Sequence, residues 1–182
     1  MIIKIITCFG VRVTNHETRT TRNGFTLIET IMVIVIIGIM AALSVPRFNA
    51  FYGIKLAGVA KKVVSDIRYV QQLAISRHES YNIIFSPGPV NTYLVRRVAD
   101  SSLAADPFSL GDFSINFNSD PHYGGITITS TNFGGTLQFD WQGIPRTAAG
   151  AALANDGSIN LSYQGNSKTI IVTQNTGWVR IQ

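Results

Sequence analysis

The sequence predicts an α+β protein with a long N-terminal helix and a β-rich head, and three patterns support this fold class. Residues 25–45 form a strongly apolar run in which Glu29 is the single ionisable residue. Apolar residues then recur at three- and four-residue steps up to residue 78, as on one face of a helix. Beyond residue 79 the apolar period changes to two and turn-forming residues interrupt it, which is typical of short strands.

The apolar run at 25–45 has the length of a membrane helix. A helix rises about 1.5 Å per residue, so roughly 20 residues cover a bilayer core of about 30 Å. The whole chain is 46% hydrophobic and only 14% charged, and this run accounts for much of the missing charge. The sequence therefore predicts a transmembrane helix over 25–45.

The net charge of +5 lies mostly before the apolar run. Four basic residues outnumber one acid there and give that segment a net charge of +3: Lys4, Arg12, Arg19 and Arg22 against Glu17. Basic residues that flank one end of a span keep that end cytoplasmic. We therefore expect a single-pass protein with a cytoplasmic N-terminus, and we interpret the charge as a topology signal. Because Cys8, the only cysteine, also precedes the run, we expect no internal disulfide.

Two ordinary explanations of the N-terminus fit less well. A cleaved secretory signal needs a shorter apolar run and an A-x-A-like cleavage site, and the AALS segment at 41–44 is a poor match. A plain membrane anchor explains the length of the run but not Glu29. A carboxylate inside a bilayer costs a few kcal/mol unless it has a partner, so such residues are rare and usually functional.

The segment RNGFTLIE at residues 22–29 resembles the class III signal of type IV pilins and type II secretion pseudopilins. The resemblance implies that residues 1–24 are a leader, that a prepilin peptidase cuts between Gly24 and Phe25, and that the new amine of Phe25 is methylated. It also implies that Glu29 pairs with a subunit N-terminus in the growing fibre. A wrong register would leave both charges unpaired, so Glu29 would act as a register check.

The resemblance further implies a pilin-like fold, in which the second half of the helix packs on an antiparallel β-sheet head. We expect this amphipathic half at 46–78 and the head at 79–182. Pro46, the twenty-second residue counted from Phe25, occupies a place where many pilins carry proline. Because proline removes a backbone donor, we expect Pro46 to kink the helix.

Alternating patterns in the head predict eight strands separated by turn residues. The turn segments NDG at 155–157 and QGNS at 164–167 are typical of hairpins and predict a three-stranded C-terminal meander. Segments 99–112 and 147–154 read as irregular. The predicted strands are 80–86, 92–98, 113–117, 125–131, 136–139, 158–163, 168–173 and 177–181.

The head also resembles the GspH/FimT-type branch of minor pilins, through FDWQGIPR at 139–146 and GWVRI at 177–181. The family resemblance implies a structural subunit in a tip or initiation complex. Its implied partners are the prepilin peptidase, major and minor pilins or pseudopilins, an assembly platform and inner-membrane lipid. The implied location is the bacterial inner membrane, with a periplasmic head, and then the pilus or pseudopilus.

No catalytic or metal-binding pattern is visible, so we expect neither an enzyme nor a cofactor. His78 and His122 are isolated, and the aspartates at 100, 106, 112, 120 and 140 match no metal loop and predict solvated turns.

The alternative function is DNA uptake, because some FimT-like pilins that contribute to it carry a Gly-Arg-x-Arg motif. In this chain Gly177 and Arg180 match the motif, and Trp178 replaces its first arginine. Trp178 and Arg180 would share one strand face and could contact a base and a phosphate. Two side chains fall short of the phosphate contacts needed, so a partner or sheet contact is favoured.

Overall fold

The computed structural model describes residues 24–182, except for the side chains of residues 44–50. The predicted leader therefore lies outside the described residues up to position 23. The elements are one helix, α1 Leu27–Arg77, and the strands β1 Tyr81–Ser86, β2 Thr92–Arg97, β3 Ser114–Asn116, β4 Thr127–Thr131, β5 Thr136–Phe139, β6 Pro145–Arg146, β7 Gly157–Tyr163, β8 Asn166–Val172 and β9 Val179–Ile181. This arrangement confirms the predicted α+β class.

The chain separates into two compact units, and the first ends at Leu43. In this unit the large apolar side chains are exposed, from 48% at Val33 to 81% at Phe25. Where side chains are described, no helix combines the length and the apolarity that crossing a membrane requires. The transmembrane helix over 25–45 reaches into the undescribed side chains and stays a prediction, as does the kink at Pro46.

The second unit, Ser44–Gln182, contains two antiparallel sheets. The strand order is β3-β2-β1-β5-β6 in the first sheet and β4-β7-β8-β9 in the second. The predicted C-terminal meander is present as β7, β8 and β9. The strand β6 was not predicted, because two residues are too few to show an alternating pattern.

The two predicted hairpin signals have different outcomes. Gln164 and Gly165 form a two-residue turn between the paired residues Tyr163 and Asn166, and both have positive φ, at 47° and 80°. This backbone suits the twist of the flanking strands. The segment 155–157 is not a hairpin turn, because β7 pairs with β4 and the preceding strand β6 belongs to the other sheet.

The core of the second unit lies where one face of α1 meets both sheets. The helix contributes Leu56, Val63, Ile67, Val70 and Ala74, each at most 1% exposed, at the predicted helical spacing. The sheets contribute buried residues that alternate with half-buried ones along the strands, among them Ile83, Leu137, Phe139, Ile159 and Ile170. Burying one such large side chain stabilises a fold by roughly 1.5–3 kcal/mol, so this face holds the head on the helix.

Asp66 lies within this core, although its place between the apolar residues Val63 and Ile67 in the helical pattern predicts a polar, outward-facing residue. Its side chain is buried, and its two carboxylate oxygens accept hydrogen bonds from Lys62 Nζ and from the Tyr93 hydroxyl. The expectation of a solvated turn is likewise wrong for Asp106. Asp106 is buried and accepts hydrogen bonds from the Phe108 amide and the Ser109 hydroxyl, at 3.0 and 2.9 Å.

Burial raises the pKa of Asp66 above its ordinary value of 3.8, although the hydrogen bonds from Lys62 and Tyr93 oppose this rise. A carboxyl group whose pKa is higher in the folded state stabilises the fold most when protonated. Its contribution is fully present below pH 3.8 and is lost as the pH rises through the raised pKa.

We expect Asp66→Asn to remove this part of the pH dependence, because asparagine keeps an acceptor for Tyr93 and does not titrate. The measurement is urea unfolding of the detergent-solubilised chain at a series of acidic pH values, followed by circular dichroism. Asp112→Asn, at an exposed position, is the control and should keep the wild-type slope. An unchanged slope in Asp66→Asn would contradict the assignment.

Candidate processing and assembly site

Gly24 and Phe25 lie just before Thr26, the residue that precedes the first residue of α1, Leu27. Both are exposed, and among the described residues a Cβ atom added at Gly24 would meet no atom within 4 Å. The peptide bond between them therefore precedes the helical hydrogen-bond ladder, and both residues that it joins are exposed. Arg22 and Asn23, the other residues of the predicted signal, lie outside the described residues.

Thr26 caps the N-terminus of α1. Its Oγ1 accepts a hydrogen bond from the Glu29 amide at 3.3 Å, and its carbonyl oxygen accepts one from the Thr30 amide at 3.2 Å. Thr26 and Glu29 thus occupy the N-cap and third helical positions of a capping-box sequence. A carboxylate there also interacts favourably with the positive end of the helix dipole. The Thr-x-x-Glu spacing could have revealed this role from the sequence.

Glu29 therefore occupies a position where a local role in helix capping is available beside the predicted role in assembly. Its side chain is exposed, as are those of its helical neighbours Ile28 and Thr30. An exposed carboxylate near the start of the helix can meet a positive group of another molecule. The predicted scissile bond, the helix cap and the acid thus lie within six residues, from Gly24 to Glu29.

Trp178 and Arg180, the C-terminal candidates, lie on the same exposed face. Val179 between them is buried, as the predicted alternation requires. The guanidinium carbon of Arg180 lies 5.6 Å from the centroid of the Trp178 ring, within cation–π range. Arg180 Nη2 also lies 3.8 Å from Asp156 Oδ2, so part of its charge is balanced by this chain.

One side chain of α1 fixes the turn that carries Trp178. Gln71 Nε2 donates hydrogen bonds to the carbonyl oxygens of Thr176 and Gly143, at 2.9 and 2.8 Å. Gly177 has a φ of 65°, and a Cβ atom there would lie 2.5 Å from Gln71 Nε2. Glycine is required at this position because the helix side chain and the turn approach so closely.

The second turn held by Gln71 presents the other tryptophan. Trp141 is 54% exposed, and its ring stacks on His78 with 6.3 Å between centroids and 15° between planes. Asp140 shapes this turn by accepting hydrogen bonds from the amides of Gln142 and Ile144 and from Arg146 Nε. Its carboxylate is therefore committed to the turn rather than to a metal.

Comparisons with known proteins identify the N-terminal region and the fold. Residues 19–45 match the family model described as the prokaryotic N-terminal methylation motif. This match spans the predicted cleavage junction, Phe25 and Glu29. The chain carries the N-methylation motif of prokaryotic prepilins. No curated protein matches its sequence significantly.

Two solved structures share the fold of this pilin-like chain at low sequence identity. The type IV minor pilin FimU of Pseudomonas aeruginosa is 13% identical, with a TM-score of 0.50 over 70% of this chain and 87% of that one. The minor pseudopilin EpsH from the type 2 secretion system of Vibrio cholerae is 9% identical, with a TM-score of 0.51 over 70% and 96%. These similarities establish the pilin-like fold of a helix packed on an antiparallel head.

The possible metal-ligating side chains do not cluster in the described part of the chain. Among these residues, no group of three or more histidine, cysteine, aspartate or glutamate side chains is placed to hold a metal ion. His78 is exposed and stacks on Trp141, while His122 is exposed and contacts Asp120 at 3.0 Å. Both histidines thus have surface contacts and no nucleophile beside them.

Proposed function

We propose that this protein is a minor pilin or pseudopilin, a structural subunit of a type IV pilus or a type II secretion pseudopilus. The observation that carries the proposal is the methylation-motif match over residues 19–45. In this proposal a prepilin peptidase cuts between Gly24 and Phe25 and methylates the amine of Phe25. The exposed position of this bond before α1 supports such access.

The apolar segment at 25–45 then anchors the protein in the bacterial inner membrane. The N-terminus faces the cytoplasm and the head faces the periplasm. An exposed apolar surface of this extent must be covered by lipid or by protein. In the proposed assembly, lipid covers it first and other subunits cover it afterwards. An assembly platform would extract the subunit from lipid and transfer the segment to a bundle of neighbouring pilin helices.

Glu29 sets the register of this transfer in our proposal. The carboxylate pairs with the positive N-terminal amine of a subunit, and a shifted subunit would leave both charges unpaired in an apolar bundle. The exposure of Glu29 in the single chain is consistent with a partner outside the chain. The capping role of Thr26 and Glu29 gives an alternative reason for the acid, which a variant can separate from pairing.

We place the protein in the GspH/FimT-type branch and in a tip or initiation complex. The sequence segments 139–146 and 177–181 support the branch. Gln71 of α1 donates hydrogen bonds to the carbonyl oxygens of Gly143, in the first segment, and of Thr176, just before the second. The function is structural rather than enzymatic. DNA uptake is not adopted, because Arg180 is partly neutralised by Asp156 and Trp178 stacks on the same arginine.

Mass spectrometry of the protein purified from its own host tests this function directly. We expect the mature chain to begin at Phe25 with a methylated amine. A chain that starts after Ser44 would indicate a secreted protein instead. Intact protein that keeps residues 1–24 would refute the pilin assignment.

A further inference from the structure

A groove with a strong positive bias lies between α1 and the edge strand β9. Its volume is about 350 Å³. The basic members Lys61, Arg68 and Arg180 are exposed, whereas Val64 is buried and Ile181 is half-buried. The groove therefore has basic walls and an apolar floor, and Ser65 completes its lining.

The helical spacing and one long-range hydrogen bond create this arrangement. Lys61, Ser65 and Arg68 are four and three residues apart, so they lie on one face of α1. Arg68 Nη2 donates a hydrogen bond to the carbonyl oxygen of Val179 at 2.7 Å and so joins the helix to β9. The next residue of β9, Arg180, adds the third positive charge. Trp178 contacts the Arg180 guanidinium and restricts its motion.

None of the residues that line the groove is acidic. Asp156 is 3.8 Å from Arg180 and balances part of one of the three charges. Asp66, on the same helix, is buried and binds Lys62 and Tyr93. The groove thus holds more positive charge than its own surroundings neutralise, which favours an anionic ligand.

We propose that this groove binds an acidic peptide segment of a partner protein. Its carboxylates would meet the basic walls, and a neighbouring apolar side chain would cover Val64 and Ile181. Nucleic acid suits the site less well, because a groove of this size reaches few phosphates and its apolar floor has no counterpart on a phosphate backbone. The inference is independent of cleavage at Gly24 and of pairing by Glu29.

Fluorescence anisotropy with the full chain in non-ionic detergent tests the proposal. The probe is a labelled peptide that alternates glutamate and leucine, and the matched peptide replaces glutamate by glutamine. We expect the acidic peptide to bind and the glutamine peptide to bind at least about tenfold more weakly. Binding should also weaken as salt rises, since exposed charges are screened.

Lys61→Gln and Arg180→Gln should each weaken binding of the acidic peptide about fivefold. This factor corresponds to the upper end of the free energy that an exposed ion pair contributes. Arg77→Gln is the control, because Arg77 is exposed on the same helix about 24 Å from Lys61 at 1.5 Å per residue. Arg68 is left intact because it also joins the helix to β9. Circular dichroism checks that each variant is folded.

Three results would overturn the proposal. The first is equal binding of the glutamate and glutamine peptides. The second is wild-type affinity in both Lys61→Gln and Arg180→Gln. The third is tighter binding of a random DNA duplex that is lost in the same two variants, which would assign the groove to nucleic acid. Normal processing at Gly24 in these variants would show that cleavage does not depend on the groove, so that the groove proposal can fail without affecting the minor pilin proposal.

Discussion

A Gly24→Val variant is expected to accumulate as an uncut precursor, heavier than the mature chain, when it is produced with its prepilin peptidase. The residue before the scissile bond must fit the peptidase, and a β-branched side chain adds bulk at that point. A clash with the described residues 24–182 is not the cause, because a Cβ atom at Gly24 meets none of their atoms within 4 Å. Immunoblotting of whole cells measures the ratio of precursor to mature protein.

Gly38→Val is the matched control for this variant. It makes the same exchange within the helix, at another position where a Cβ atom meets no atom within 4 Å. We expect Gly38→Val to be cut to the same extent as the wild type. Complete cleavage of Gly24→Val before Phe25 would contradict the assignment of the junction.

A Glu29→Ala variant is expected to be cut normally and yet to be absent from fibres. Cleavage occurs at Gly24, whereas the acid is needed only when the subunit meets the amine of another subunit. Loss of the negative charge leaves that amine unpaired in an apolar bundle, so incorporation should fall at least about tenfold. Immunoblots of membranes and of sheared fibres from the native host measure how much of the variant is cleaved in the membrane and how much is incorporated into fibres.

Glu29→Gln separates charge pairing from helix capping. Glutamine can take the place of glutamate in a capping box with Thr26, but it carries no charge. If pairing is the function of Glu29, Glu29→Gln should fail to enter fibres just as Glu29→Ala does. Fibre entry by Glu29→Gln alone would assign the residue to capping, and entry by both variants would remove it from assembly.

Local patterns in the sequence were sufficient to predict the helix and most of the strands. The face of α1 from Leu56 to Ala74 repeats at helical spacing, and Gln164 and Gly165 mark their turn by residue type alone. Asp66 was misplaced because a helical pattern assigns charges to the outside. One of the two groups that satisfy its carboxylate, the Tyr93 hydroxyl, is 27 residues away and belongs to a strand.

These local patterns could not predict which distant segments pair. Nothing in the order of strands indicates that β4 pairs with β7 and that β1 pairs with β5. The same holds for the C-terminal site. The sequence predicted Trp178 and Arg180 as candidate contact residues, but it did not predict that Lys61 and Arg68 lie beside Arg180. The hydrogen bond from Arg68 to Val179 joins residues 111 positions apart, and no local spacing reports such a contact.

The surface placement of both tryptophans determines what intrinsic fluorescence can measure in this protein. Trp141 and Trp178 are 54% and 56% exposed in the folded chain, so their indoles already experience an aqueous environment before denaturation. Emission will therefore change little when the core is lost. Because Trp178 touches Arg180 at the rim of the basic groove, the same emission offers a label-free readout of ligand occupancy there.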